Sequence, residues 1–249
     1  MRLKIIRTSN HEVSTASALD QLKQLGNDVL KGVDYVFDPG GPGPIVENRA
    51  DCALVVPELM KRVKETNEEG GFDAIVIQGF LDPGLFTLRE VSAIPVVGCG
   101  HSAMHVASLI GTRFSIVDTL ETMAIMIREM AVLYGFDRKL ISIRSIETRP
   151  RDLMARLDRE HRIEIMTDEC RQAIQKDGAD TLVFGCTSLG WMADEVRDRL
   201  WKEGLRVPVV YPYRSAIAMA KALVEMRLGH SAYAYSMPTA PKPRPVPIH

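Results

Sequence analysis

Cys186 is the residue of this chain whose type and position best fit a catalytic role. It follows the apolar run TLVFG, residues 181–185, and is itself followed by Thr187, Ser188 and Gly190. The run predicts a buried strand, and the residues after it predict the start of a helix. Backbone NH groups and the helix dipole would stabilise a thiolate there, which predicts a reactive cysteine. The alternative is an inert cysteine that packs as a small hydrophobic residue.

Polar residues follow two other predicted strands. Arg7, Ser9 and Asn10 come after the first apolar run and could donate hydrogen bonds to a carboxylate or a ring oxygen. Helix capping is the alternative for Ser9 and Asn10. Cys99 and His101 follow a later strand, and His101 is expected either to act as an acid or base or to cap a local helix. Cys99 is expected to be a second active thiol or a neutral core residue.

Short apolar runs rich in Val and Ile alternate with longer amphipathic segments along the chain. This alternation predicts parallel strands connected by helices, that is, an α/β fold with doubly wound sheets. The predicted strands are residues 3–6, 35–38, 74–78, 96–98, 114–117, 141–144, 181–185 and 209–211. Sheets of this kind bind ligands at the carboxyl ends of their strands, which is where the polar residues above fall.

The chain also contains an internal repeat. The segment GFDAIVIQG, residues 71–79, matches GADTLVFGC, residues 178–186, position by position in character. Under this alignment Gly79 pairs with Cys186. The repeat predicts two similar doubly wound lobes related by a pseudo-twofold axis, with the active-site cleft between them.

The expected lobe boundaries follow from the position of the repeat. The first lobe is predicted to comprise residues 1–111 together with residues 216–249, and the second to comprise residues 112–215. Phe80 closely follows the predicted strand 74–78 and Tyr211 ends the predicted strand 209–211, so both are expected to line the cleft and contact a substrate.

Six segments resemble the hydantoin racemase group of the Asp/Glu racemase superfamily in order and spacing. They are DPGGPGPIVENRADCALVVPEL, IVIQGFLDPGLFTLREVSAIPVVG, GTRFSIVDTL, YGFDRKLISIRSIE, DGADTLVFGCTSLG and SAYAYSMP. The resemblance implies two similar lobes, no metal or organic cofactor, and proton transfer next to a carbonyl by two cysteines on opposite faces of the substrate. It also implies that Asp118, Thr119 and the N-terminal loop contact the substrate.

The chain departs from the family pattern at two positions. Cys186 stands at the second cysteine position, but Gly79 stands at the first, and His101 stands where the group tends to have a carboxylate. Since glycine cannot carry a proton, ordinary two-base racemisation is not expected. We expect an enzyme that uses Cys186 on a hydantoin-like cyclic amide or a related carboxylate, with Thr187 and Ser188 binding the oxyanion. The alternatives are a one-thiol lyase, decarboxylase or thiohydantoin desulfidase, and a binding protein without catalysis.

The composition and charge exclude several other classes. Hydrophobic residues make up 46% and charged residues 25% of the chain, with a net charge of -1, so neither a nucleic-acid partner nor a membrane span is expected. The four cysteines lack CxxC spacing, which predicts no metal site, and DPGGPGP lacks the lysine of a phosphate-binding loop. A small-molecule substrate, a cytoplasmic location and a homo-oligomer are expected, with the proline-rich residues 234–249 lying on the surface or on a partner subunit.

Overall fold

Two four-stranded parallel sheets form the framework of the protein. The computed structural model describes residues 1–9, 29–154 and 158–236. The strands are β1 (Arg2–Arg7), β2 (Asp34–Asp38), β3 (Ala74–Gln78), β4 (Val96–Gly98), β5 (Phe114–Asp118), β6 (Leu140–Ser145), β7 (Thr181–Phe184) and β8 (Val209–Val210). Every predicted strand is confirmed, with ends that differ by at most one residue. Asn10 and the proline-rich tail beyond residue 236 lie outside the described residues.

Helices connect the strands and cover the sheets. They are α1 (Arg49–Glu69), α2 (Leu85–Glu90), α3 (Cys99–Ile110), α4 (Ala124–Leu133), α5 (Pro150–Met154), α6 (Arg159–Gln175), α7 (Ala193–Lys202) and α8 (Pro212–Glu225), with 3-10 turns at Glu121–Met123 and Thr187–Met192. The side chain of Asn48 accepts a hydrogen bond from the backbone NH of Asp51 and so caps α1. In the described part of the chain, no helix has both the length and the apolar character needed to cross a bilayer.

The two sheets share one topology, which confirms the internal repeat. Their strand orders are β2-β1-β3-β4 and β6-β5-β7-β8, and all paired strands are parallel. Gly71 and Gly178 occupy equivalent positions before β3 and β7, and both have left-handed φ angles, of 73° and 78°. Both copies thus enter their central strand through a turn that favours glycine.

Two helices cross between the lobes. α3 follows the first sheet, but its Met104 shares a buried apolar cluster with Ile116 of the second sheet. α8 follows the second sheet, but its Ile217 shares a buried cluster with Val76 of the first. Each sheet is therefore covered partly by a helix that follows the other sheet in sequence, as a pseudo-twofold relation between the lobes requires.

We propose the same division into lobes that the repeat predicts, namely residues 1–111 with 216–249 and residues 112–215. The packing of α8 against β3 and β4 of the first sheet supports the second boundary, at residue 216. α8 begins at Pro212, so the change of lobe falls within the first turn of this helix.

Candidate active site

A cleft lies between the carboxyl ends of the strands of the two sheets. It holds about 700 Å³ of space that is partly open to solvent. The first lobe lines it with residues 7–9, which end and follow β1, and with residues 78–81, which end and follow β3. The second lobe lines it with residues 185–188, which follow β7. The central strands of both repeats therefore end in one cleft, as the fold class predicts.

Cys186 lies on the second-lobe wall of this cleft. Its Sγ is 2.9 Å from the hydroxyl oxygen of Ser188. Burial and, secondarily, the charge of Asp118 raise the thiol pKa to about 12, and the hydrogen bonds with Ser188 only partly oppose this. Loss of hydration thus outweighs the nearby donors in the ligand-free protein and does not support the stabilised thiolate that the sequence suggested. At neutral pH Cys186 holds its proton.

Gly79 lies on the first-lobe wall of the cleft. A Cβ atom placed on it would be 2.6 Å from Cγ2 of Thr8, which also lines the cleft. The φ angle of Gly79 is not in the left-handed region, so its backbone is open to other residue types. The Thr8 methyl group thus fills the space next to Gly79. The size of the side chain that position 79 can hold is limited by this neighbour rather than by backbone strain.

Several predicted substrate-binding residues line the cleft together. Arg7, Ser9 and Phe80 come from the first lobe, and Thr187 and Ser188 come from the second. Desolvation by burial lowers the pKa of the Arg7 guanidinium to about 10, so it remains a cation at neutral pH. The cleft therefore combines a cation and hydroxyl groups with a thiol, as expected for a site that binds a polarised carbonyl group.

Asp118 and Thr119 do not line the cleft, which corrects their assignment as substrate contacts. Both are fully buried, and the NH of Thr119 donates to Oδ1 of Asp118. A Cβ atom on Gly185 would be 2.6 Å from Cβ of Asp118, so this carboxyl lies against the backbone that carries Cys186. Burial raises the pKa of Asp118 to about 7. The strand-end position was predicted correctly, but the side chains turn inward.

Cys99, a candidate for a second active thiol, and Tyr211, a candidate substrate contact, do not line the cleft. Cys99 is fully buried, its Sγ lies 3.3 Å from the carbonyl oxygen of Ile77, and burial raises its pKa. This agrees with the alternative of a neutral core residue. Tyr211 is buried and donates a hydrogen bond of 3.1 Å to the carbonyl oxygen of Thr187. Tyr211 therefore stabilises the turn after Cys186 through this hydrogen bond.

His101 is not among the residues that line the cleft, which does not support its acid or base role, and its helix-capping role is wrong. Its Nε2 is 3.3 Å from Nε2 of His105, and its ring packs edge-on against Tyr134 of the second lobe. Burial lowers the pKa of His101 to about 3, so it is neutral at physiological pH. The residue that caps α3 is Asp82, which accepts hydrogen bonds from the backbone NH groups of Gly100 and His101. Because α3 crosses to the second lobe, its first turn faces Tyr134 rather than the cleft.

Sequence reasoning missed several residues that line the cleft. Gln78 is paired in register with Arg7, and both line the cleft. Val46, Met123 and Pro150 line it from the segments that follow β2, β5 and β6, with Met123 in a 3-10 turn and Pro150 at the start of α5. The available signal was general: segments that follow parallel strands lie at the same edge of a sheet, but those after β4 and β8 do not line the cleft. Within the described residues, no group of three or more His, Cys, Asp and Glu side chains is placed to hold a metal ion.

Comparison with known proteins identifies related sequences over most of the chain. The family model described as Asp/Glu/Hydantoin racemase matches residues 10–220. A hydantoin racemase of Paenarthrobacter aurescens is 30% identical over 242 residues, which cover 96% of this chain and 98% of the relative. A hydantoin racemase of a Pseudomonas species, strain NS671, is 33% identical over 75% of this chain and 71% of its own length.

Solved structures agree with the sequence relatives. Allantoin racemase from Klebsiella pneumoniae has a TM-score of 0.85 and 26% identity, covering 97% of this chain and 95% of its own. Unliganded arylmalonate decarboxylase has a TM-score of 0.56 and 18% identity over 90% of this chain and 92% of its own, which shows a shared fold alone. The extent of the family match and the identity to full-length relatives lead to one conclusion: this chain belongs to the Asp/Glu/hydantoin racemase family.

Proposed function

We propose that this protein is a cofactor-independent enzyme that uses Cys186 as an acid/base at a carbon next to a carbonyl. Its substrate is a small hydantoin-like cyclic amide or a related carboxylate. The observation that carries the proposal is the position of the Cys186 thiol on the cleft wall, 2.9 Å from the Ser188 hydroxyl. The racemase relatives support an isomerase-type reaction.

The chemistry requires a proton to leave or reach the carbon while charge develops on the carbonyl oxygen. Thr187 and Ser188 lie next to Cys186 on the cleft wall, where donors can bind that oxygen as it becomes negative. Once loss of CO2, or of a proton to a base, has formed the enolate, a thiol with a raised pKa holds the proton that the enolate takes up, so Cys186 acts as the acid of that second step. Racemisation requires in addition a second group that acts on the opposite face.

A one-thiol lyase or decarboxylase is the second candidate. We propose that position 79, a glycine in this chain, corresponds to the first cysteine of the family's racemases. The Thr8 methyl group fills the space beside Gly79. With Cys186 as the one thiol of the cleft wall among the described residues, a reaction that protonates one face of an enolate is also compatible with the cleft. Thiohydantoin desulfurisation by nucleophilic attack fits less well, because it needs the thiolate that burial disfavours.

Replacement of Cys186 tests the proposal. We predict that Cys186→Ala lowers turnover by roughly 100-fold or more, because it removes the acid/base, while the fold remains intact. Deuterium uptake, CO2 release and sulfide release on hydantoins, arylmalonates and thiohydantoins identify the reaction. Cys52→Ala is the matched control, since Cys52 is a partly buried cysteine that does not line the cleft.

Two outcomes would contradict the proposal. Turnover of Cys186→Ala within a few-fold of the parent would remove Cys186 from the mechanism. Ligands that protect Cys186 from alkylation but undergo no reaction in any of the three assays would favour a binding protein that lacks catalysis.

A further inference from the structure

Two histidines of α3 bring their side-chain nitrogens together outside the cleft. His101 and His105 are four residues apart on this helix, so their side chains are neighbours on one helix face. Their Nε2 atoms are 3.3 Å apart. Both residues are partly exposed to solvent, and neither lines the cleft. The pair is therefore a cluster of nitrogen ligands that the proposed reaction does not use.

The spacing of the two nitrogens matches that of two ligands on one metal ion. A Zn–N bond is about 2.0 to 2.1 Å long, so two imidazole nitrogens on a tetrahedral ion lie roughly 3.3 to 3.4 Å apart. A hydrogen bond between the two rings is the competing arrangement, and at 3.3 Å it is a long one. The rings are tilted by 58° to each other, so small rotations of both side chains would aim their lone pairs at one ion.

Both imidazoles are in the protonation state that binds a metal. Burial lowers the pKa of His101 to about 3, and burial also lowers the pKa of His105. A neutral imidazole has one nitrogen with a free lone pair, so an ion can bind there without first displacing a proton. At neutral pH, protons therefore do not compete with a metal for this pair.

The charged groups around the pair have opposite effects on a bound cation. Arg89 is a nearby cation, and its charge lowers the pKa of both histidines. Its guanidinium group is engaged elsewhere, since it donates to the carbonyl oxygen of Val96 and to the hydroxyl of Tyr235. The carboxyl group of Asp82 accepts a hydrogen bond from the backbone NH of His101 and offers a negative charge when it ionises. We therefore expect moderate rather than tight affinity.

We propose that His101 and His105 form a binding site for a divalent ion of the zinc type, with water molecules as its other ligands. Imidazole nitrogens together with water are a ligand set that suits Zn2+ and Co2+. The site goes beyond the proposed function, because it lies outside the cleft and takes no part in the reaction. Since α3 contacts Tyr134 of the second lobe, a bound ion would stabilise a helix that joins the lobes.

Titration of the protein with Zn2+ and with Co2+ tests the site. The protein carries Cys52→Ala and Cys186→Ala, so that the two partly exposed thiols cannot compete for the metal. We expect one ion per chain and a rise in melting temperature of at least about 3 °C at saturation. The Co2+ complex should lack the near-ultraviolet absorption that thiolate ligands produce.

Replacement of either histidine should weaken binding in this background. His101→Gln and His105→Gln each remove one ligand, and we expect each to raise the Kd for Zn2+ roughly 10-fold or more. Circular dichroism establishes that each variant is folded, and either variant alone is sufficient for the test. His161→Ala is the matched control, because His161 is an exposed histidine of another helix, α6, and its loss should leave the Kd unchanged.

Three results would overturn the proposal. The first is failure of the background protein to bind either ion. The second is a Kd for Zn2+ that is the same in a folded His105→Gln or His101→Gln variant as in the background protein. The third is a Kd that rises as much in His161→Ala as in the α3 variants, which would assign the binding to scattered surface histidines.

Discussion

At the scale of single residues, the two walls of the cleft differ in what they can do to a proton. Cys186 supplies a thiol from one side, whereas Gly79 supplies none from the other, and Thr8 fills the adjoining space. Thr8 carries a hydroxyl group that does not ionise in the physiological range. An intermediate bound between these walls can therefore receive a proton readily from the Cys186 side.

Gly79→Cys should restore a second thiol, but only with help from position 8. The new Cβ would be 2.6 Å from Cγ2 of Thr8, and overpacking of this kind costs roughly 1 to 3 kcal/mol. Adding Thr8→Ser removes that methyl group and keeps the hydroxyl. We predict that the double variant gains deuterium exchange with inversion on a chiral substrate, while the single variant is less stable than the parent.

Chiral chromatography of the products and thermal melting measure both parts of this prediction. Exchange with full retention in a stable, folded double variant would show that position 79 does not face the reacting carbon. In that case the correspondence between Gly79 and Cys186 would hold for the fold but not for the chemistry.

Asp118→Asn should make Cys186 more reactive. The negative charge of Asp118 raises the thiol pKa, and Asp118 itself ionises with a pKa raised to about 7. The variant should therefore react faster than the parent only above about pH 7, where the parent carboxyl is charged. The measurement is the rate of alkylation by a neutral reagent as a function of pH, in a Cys52→Ala background. Superimposable profiles would mean that Asp118 has no electrostatic effect on the thiol.

The residues at strand ends illustrate what sequence can predict about the site. The pattern located Arg7, Cys186 and Asp118 correctly at the ends of their strands. It could not distinguish Arg7, which lines the cleft, from Asp118, which lies against Gly185. That difference depends on the direction of each side chain and on how much space the residues of neighbouring strands leave for it. The order of residues along the chain contains neither kind of information.

At the scale of elements, α3 depends on a cap that comes from a distant part of the chain. Asp82 is 4% exposed and has a left-handed φ of 46°. It accepts hydrogen bonds from the NH groups of Gly100 and His101, at 3.1 and 2.6 Å, and from the hydroxyl of Tyr134. This carboxyl group therefore joins the start of α3 to the second lobe. Because the contacts are non-local, the local sequence suggested a cap at His101 instead.

Replacing this cap should destabilise the protein. We predict that Asp82→Ala lowers the free energy of unfolding by roughly 2 kcal/mol, because it leaves buried donors without an acceptor. Tyr134→Phe should cost less, since it removes one of the three hydrogen bonds. Chemical denaturation followed by circular dichroism gives both values. Equal stability of Asp82→Ala and the parent would show that water replaces the carboxyl without loss.

At the scale of the whole molecule, buried titratable groups give opposite dependences of stability on pH. Burial lowers the pKa of His101 to about 3 and of His230 to about 4, so stability is lost as pH falls below their unfolded values near 6.5. Burial raises the pKa of Asp82 and Asp118 to about 7, so their contribution is lost as pH rises towards and through that value. The two dependences fall in overlapping ranges, between about pH 3 and pH 7, so they oppose each other there, and neither changes stability much above pH 7.

Two variants should separate the histidine contribution to the pH dependence of stability from the aspartate contribution. His101→Gln is expected to reduce the loss of stability on acidification, because it removes a group that takes up a proton mainly in the unfolded state. Asp118→Asn is expected to reduce the loss of stability as pH rises from about 4 to about 7, because only the unfolded parent ionises this carboxyl in that range. Thermal melting across the pH range checks both predictions. If the melting temperatures of a variant and the parent change with pH in parallel, the replaced group does not contribute to the pH dependence.

The crossing of α3 and α8 has a consequence for how the two halves could diverge. A half-length chain with the same packing would need a second copy to cover its sheet, and two identical copies must present identical residues at both walls of a shared site. Joining the halves in one polypeptide keeps the crossing of α3 and α8. The two walls no longer have to be identical, because each half is encoded separately and can change independently. The pairing of a glycine at position 79 with a cysteine at position 186 is an asymmetry that only the joined form permits. Chirality of the product can thus be encoded by a single difference between two otherwise equivalent halves.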